Sequence, residues 1–210
     1  MDSPNFLDPP TRESFAAFCR LLYERHLAVG VGGNVSAKNG DVLLVTPSGV
    51  SMRDITPASL VTAEFGGKII SGSAPSREFE MHRLIFQKRS DINVVCHVHG
   101  SYIVAASTIL EPGPNSLPPL TPGFACLAYP MPLQPFHIPG SKALAEAVGQ
   151  HFMDQRSRSL LLKNHGLITV GHTIAEALNI AEEIDEAARI YVLTAGKSSL
   201  IAKNLIQEIY

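Results

Sequence analysis

Two histidines in the run Val94-Val95-Cys96-His97-Val98-His99-Gly100 carry the strongest chemical signal in this chain. The apolar, β-branched residues ahead of them predict a buried strand that ends in a polar pair. Side chains alternate across a strand, so His97 and His99 leave the same face, about 6.5 Å apart along it. Two imidazoles so placed can converge on one metal ion, with Zn–N bonds of about 2.0–2.1 Å. Two neutral donors alone hold a metal weakly, so further ligands are required from elsewhere.

His165 is the third donor candidate, in Leu160-Leu161-Leu162-Lys163-Asn164-His165-Gly166. Another apolar strand ends there in a histidine, and the glycine behind it lets a ligand or a backbone approach closely. Alone it reads as structural; beside the 97/99 doublet it completes a set of the kind that holds catalytic zinc. Glu78 is the acidic candidate, at the start of a helix after Pro75-Ser76-Arg77. The helix dipole also accounts for an acid there, by about 0.3–1 kcal/mol. Glu78 and His82 stand at i and i+4, an alternative metal pair, although helical packing suits His82 better. His137, among prolines, is another alternative ligand, whereas His26, His151 and His172 read as solvated. A second group of turns, Gly32-Gly33-Asn34, Thr46-Pro47-Ser48-Gly49 and Ser76-Arg77, presents amides, hydroxyls and a guanidinium that can cradle an anion. Turns are built of these residues anyway, so each is weak without the metal set.

The elements that must position these groups alternate irregularly. A first helix is expected from Thr11 to about His26, with Phe15, Phe18, Leu22 and the Arg25 stem on one side. Asn39-Gly40 has the chemistry of a tight hairpin before a strand at Val42–Val45. Thr56-Pro57 predicts a short capped helix. Short strands follow at 61–65 and 68–70, then a helix near 76–88. Beyond the histidine strand, a helix is expected at 101–109 and an irregular, proline-rich loop at 111–122. Residues 131–137 read as an edge strand because of their prolines. A helix near 141–152, strands near 159–163 and 167–170, and a long helix from the N-cap Thr173 to Ala195, closed by Gly196, complete the chain. Without regular βαβ alternation, the pattern favours one α+β domain with helices on a largely antiparallel sheet.

Composition narrows the function classes. The 210 residues, 45% hydrophobic and 17% charged, suit one globular domain. A formal charge of −2 argues against nucleic acid as a partner. Three scattered cysteines, Cys19, Cys96 and Cys126, form no CxxC pair, against a disulfide framework or all-cysteine zinc site. The N-terminus lacks the regions of a signal peptide, and no apolar run approaches a membrane span. A cytoplasmic location is the expectation.

With these residues assembled, the chain resembles the class II aldolase/adducin family over nearly its whole length. The resemblance rests on Gly33-Asn34-Val35-Ser36, Thr46-Pro47-Ser48-Gly49, Pro75-Ser76-Arg77-Glu78, His97-Val98-His99 and Asn164-His165-Gly166, in the family's order. Leu117–Pro122, Ile138-Pro139-Gly140 and the helix 181–188 are similar to its 3-oxo-tetronate 4-phosphate decarboxylase branch. It implies a single domain over 1–210, an α/β fold, namely a three-layer α/β/α sandwich around a largely antiparallel sheet. It further implies one Zn2+ per subunit held by His97, His99 and His165, with Glu78 as exchangeable fourth ligand and catalytic base. Phosphate would lie against Asn34, Thr46, Ser48, Gly49, Ser76 and Arg77, in a homotetramer with sites between subunits.

The implied reaction is C–C cleavage of a small phosphorylated sugar or sugar acid through an enediolate, by an aldolase or a 3-oxo-acid decarboxylase. Pentulose-phosphate 4-epimerisation at the same metal and a non-catalytic, adducin-like interaction domain are the alternatives. Two departures bear on the substrate: Arg77 replaces the second serine of the aldolases' Ser-Ser-Glu, and Phe124 falls where a proton-donating tyrosine is expected. Water, Tyr129, Tyr191 or Tyr210 would have to substitute. A Schiff base through Lys163 has no support in its surroundings.

Overall fold

Alternation of apolar residues along short strands builds a single mixed sheet. A computed structural model describes residues 5–209. Its strands are β1 (Asn34–Asn39), β2 (Val42–Val45), β3 (Val61–Ala63), β4 (Ile69–Ser71), β5 (Val94–Val98), β6 (Gly113–Leu117), β7 (Met131–Gln134), β8 (Ser159–Leu162) and β9 (Gly166–Gly171). Their order is β4-β3-β2-β1-β5-β9-β8-β7-β6. All pairings are antiparallel except that of β7 with β8. The α-helices are α1 (Arg12–Glu24), α2 (Phe79–Lys88), α3 (Ser101–Ile109), α4 (Pro122–Leu127), α5 (Lys142–His151), α6 (Ile174–Leu193) and α7 (Lys203–Ile206). No helix among the described residues is long and apolar enough to cross a membrane.

Strand periodicity sorts the core into two clusters. Val94, Cys96 and Val98 of β5 pack with Phe15 of α1, Ile103 of α3, Phe124 of α4 and Ile184 of α6. Val95, between them, enters the other cluster with Phe79 and Ile85 of α2 and Val148 of α5. Neighbouring strands divide the same way: Leu161 joins the first group, Leu160 and Leu162 the second.

Most expected elements are present with their caps. Thr11 begins α1 with a capping box, and Ser141 and Thr173 cap α5 and α6 through their hydroxyls. The first hairpin turns at Gly40-Asp41, Gly40 at φ +59°, because Asn39 still pairs with Val42. Three expectations are corrected. The stretch 111–122 is not wholly irregular: β6 lies within it, tied to β7 only at Gly113↔Leu133 and Leu117↔Met131. Strand β7 is therefore interior despite its prolines, and β6 takes the edge. Helix α2 begins at Phe79, which makes Glu78 its N-cap rather than a first-turn residue.

The far end of α2 is fixed by a buried cation. Arg89 is 0% exposed; it pairs with both carboxylate oxygens of Asp91 at 2.7 Å and donates to the carbonyls of Asp154 and Ser157 at 3.1 and 3.0 Å. Bidentate geometry and two extra acceptors satisfy a guanidinium that burial would otherwise penalise. Arg89→Met should lower stability by about 2–3 kcal/mol, because it orphans the acceptors. Urea unfolding of the two proteins checks this, and an unchanged midpoint would contradict it.

Candidate active site

Four side chains from three segments meet at one end of the central strands. His97 lies inside β5, opposite Asn34 of β1 and Ile168 of β9, and is fully buried. His99 stands one residue beyond β5 and is half-buried, its N–H bonded to the Leu27 carbonyl at 2.9 Å. His165 occupies the tight turn between β8 and β9, where Asn164 takes φ +54°, a conformation asparagine tolerates. Glu78 arrives from the start of α2, its N–H bonded to Ser76 Oγ at 3.2 Å. Each offers one ligand atom, and all these atoms lie within 4.8 Å of one another.

The separations match a metal-binding set. His97 Nε2 is 3.3 Å from His165 Nε2 and 2.8 Å from His99 Nε2. Glu78 Oε2 is 3.2 Å from His97 Nε2, and Oε1 is 3.4 Å from His165 Nε2. A tetrahedron with bonds of about 2.0–2.1 Å has edges of about 3.3–3.4 Å. Tautomer chemistry agrees: His97 Nδ1 donates to the Leu167 carbonyl at 2.9 Å, so its Nε2 lone pair faces the centre. Glu78 Oε1 is buried with no hydrogen-bond partner, an orphan that a cation would satisfy. The donor set and its spacing fit a divalent ion.

Neighbouring groups aim these donors. Asn34 Nδ2 holds Glu78 Oε2 at 2.9 Å. Gly32 and Gly166 lie against the His99 ring; a Cβ at either would come within 2.7 Å of it. On the face of β1 that carries Asn34, Ser36 Oγ is 2.6 Å from Nδ1 of the buried His82. His82 therefore packs behind the cluster and is not one of the four. His137 pairs with Gln134 and is also outside it. His26 and His172 are exposed as expected, but His151 is half-buried and bonded to the Ser159 carbonyl at 3.0 Å.

The loops expected to bind an anion are zipped together beside Glu78. Ser48 N–H donates to the Ala74 carbonyl at 2.9 Å and Ser76 N–H to the Thr46 carbonyl at 3.1 Å. Ser48, Gly49 and Arg77 are exposed and Ser76 is half-buried. Thr46 is buried, its hydroxyl accepting from the Val35 amide at 3.1 Å. Asn34 is likewise turned inward, onto Glu78. Phe124 is a core residue at 0% exposure, edge-on to Tyr129. Tyr129 takes a hydrogen bond from Asn115, and the Tyr191 ring borders Gly196; Tyr210 lies outside the described residues. Sequence reasoning missed the Asn34–Glu78 link and the packing of Gly32 on His99; at Gly166 it anticipated a close approach but not that the His99 ring makes it.

Charge and burial set the protonation states. Burial alone would raise the Glu78 carboxyl, but His97, His165 and the Asn34 amide outweigh it and hold it well below the ordinary carboxylate range. Burial pushes His82 down to about 3; burial with His97 and His165 pushes His99 to about 3, and burial with His97 pushes His165 to about 4. These imidazoles are neutral, the form in which His99 and His165 could ligate a metal.

Unfolding frees the three rings to protonate near pH 6.5, so the metal-free protein should lose stability as pH falls from 6.5 toward 4. Thermal melts of metal-stripped protein from pH 7 to 5 check the sign, and a flat midpoint would contradict it. Gly32→Ala should push His99 aside and weaken metal binding by roughly tenfold while the protein stays folded. Chelator competition with a circular-dichroism control reads both.

Residues 13–192 match the model of the class II aldolase and adducin N-terminal domain. An L-fuculose phosphate aldolase from Methanococcus maripaludis is 36% identical over 176 residues, 84% of this chain and 93% of that protein. A 3-oxo-tetronate 4-phosphate decarboxylase from Haemophilus influenzae is 29% identical over 193 residues, 90% of each chain. The solved structure of an L-fuculose 1-phosphate aldolase superposes with a TM-score of 0.83 at 26% identity, covering 94% of this chain and 93% of that one. Family match and fold agree, and the chain belongs to the class II aldolase and adducin family.

Proposed function

We propose that this protein is a zinc-dependent carbon–carbon lyase acting on a small phosphorylated sugar or sugar acid. The observation that carries the reading is the convergence of His97, His99, His165 and Glu78 on one point. These four would hold the ion, which supplies Lewis-acid polarisation of a substrate carbonyl. Helices packed against alternate residues of β5 support a three-layer arrangement in one domain.

The chain's own residues supply the remaining steps. Glu78 receives one side-chain hydrogen bond, from Asn34, and would serve both as fourth ligand and as the group that accepts a proton. In an aldol cleavage it takes the substrate hydroxyl proton; the C–C bond breaks and its electron pair passes toward the polarised carbonyl. Asn34 steadies the carboxylate in the orientation from which it attacks. Ser48, Gly49, Ser76 and Arg77 form an exposed, hydrogen-bonded lip next to Glu78, suited to the phosphate. Thr46 and Asn34 contribute by shaping that lip from beneath.

Arg77 favours the carboxy-lyase form of the reaction. Its exposed guanidinium adjoins Glu78 in sequence, and no described residue takes a hydrogen bond or ion pair from it. A second anionic group on the substrate, such as a carboxylate, would match that charge.

Three measurements test the reading. His99→Ala should abolish both zinc occupancy and turnover, and full activity of a metal-free His99→Ala preparation would overturn the mechanism. Glu78→Gln should retain metal but lose about 10²–10⁴ in kcat. The zinc-loaded protein, screened against tetrulose, pentulose and 3-oxo-aldonate phosphates, should release an aldehyde or CO₂. An epimer without either product would point to the epimerase instead. A folded protein indifferent to zinc would point to an interaction domain.

A further inference from the structure

Helix α3 has no means of its own to complement its ends. Its nine residues place no acid in the first turn and no base in the last, and its N-cap is Gly100, without a side-chain cap. So short a helix is marginal in water and leaves polar backbone groups open at both ends. Two side chains from distant segments serve them. At the N-terminus, the Asp185 carboxylate of α6 lies against the first turn, where the Ile103 amide favours its charged form. Asp185 Oδ1 presses on Gly100, where an added Cβ would lie 2.9 Å from it. At the C-terminus, Lys163 Nζ donates to the carbonyls of Leu110 at 2.6 Å and Thr108 at 3.2 Å. A negative charge at the first end and a positive one at the second both complement the helix dipole.

The two grips sit where the metal centre needs them. Gly100 directly follows His99, and Lys163 stands two residues before His165. Helix α3, about 13 Å long, thus runs from one ligand-bearing segment to the other. Asp185 Oδ1 is buried and has no hydrogen-bond partner. Burying a carboxylate in that way is unfavourable for stability alone, and a neutral side chain would pack there at lower cost. Lys163 is committed to two carbonyls, which also explains why it is no Schiff-base nucleophile.

We propose that Asp185 and Lys163 are positioning residues of the metal centre: gripping α3 at both ends, they fix the separation of His99 from His165. This rests on the metal reading given above. It adds that the site's geometry is set by two charges that touch neither metal nor substrate.

The test compares Lys163→Met, Lys163→Arg, Asp185→Asn and the Lys163→Met/Asp185→Asn double variant. Zn2+ affinity is read by competition with a chromophoric chelator, and the melting midpoint is read on the metal-free proteins. Lys163→Met and Asp185→Asn should each bind Zn2+ roughly tenfold more weakly, with the Asp185→Asn metal-free midpoint close to the parent's and the Lys163→Met midpoint lowered by its two orphaned carbonyls. Lys163→Arg should restore the affinity. The double variant should lose less than the product of the two, because one loosened end already frees the strut. Asp185→Asn carries the test if Lys163→Met does not fold. Parent-like affinity in both single variants would overturn the proposal, as would losses that follow the metal-free midpoint and that arginine does not repair. A parent protein that binds no Zn2+ would overturn the metal reading and this proposal with it.

Discussion

Everything in this structure is subordinate to one geometric demand: three imidazole nitrogens and a carboxylate must converge within 4.8 Å of one another, with close pairs at 2.8–3.4 Å. Lone pairs so directed repel, and no hydrophobic collapse would bring them together. Only a scaffold that is stiff in four places can impose the arrangement. Strand β5 supplies the first by holding His97 between β1 and β9. Backbone pairing of His99 with Leu27 supplies the second, and the β8–β9 turn the third. The fourth is α2, which presents Glu78 at its start and is tied at its other end by Arg89.

Space is as tightly specified as direction. The His99 ring packs against Gly32 and Gly166, and neither site has room for a methyl group. Gly33 adds close approach to the His97 carbonyl at φ +81°. These glycines concede backbone entropy to bring loops against an imidazole. The polar residues close by do the reverse, spending hydrogen-bonding capacity on orientation. Asn34 aims Glu78, and the Leu167 carbonyl selects the His97 tautomer.

Local chemistry was legible in the sequence; long-range consequences were not. The doublet His97-Val98-His99, the His165-Gly166 step and Glu78 after Ser76-Arg77 could be read because each combines a residue type with a local pattern. Helices α1, α3, α5 and α6 were legible as elements, α1 through its apolar stripe and α6 through its N-cap Thr173. Strand β6 was not, since only its distant partner β7 makes a strand of Gly113–Leu117. Nor could the inward turn of Thr46 and Asn34 be foreseen: both look like surface turn residues until Val35 and Glu78 are placed beside them. Asp185 is the clearest case. In sequence it is one acid among several on a surface helix; in the fold it lies against Gly100.

The physical cost of the cluster bears on what it is for. A domain that served only to bind other proteins would gain stability by replacing buried Glu78 and His97 with apolar residues of similar volume. The chain keeps both, leaves Glu78 Oε1 and His165 Nδ1 buried without hydrogen bonds, and adds an unpartnered Asp185 Oδ1 behind them. Native proteins retain few such groups, and those that persist mark sites where function opposes stability. Phe124 fits the same logic from the opposite side. Fully buried against Tyr129, it occupies a position where a hydroxyl would need a partner, and it adds apolar packing instead. Polar groups are thus kept where they converge on the candidate metal and given up where they would only be buried. That contrast within one chain argues for a retained reaction centre more strongly than the presence of histidines alone.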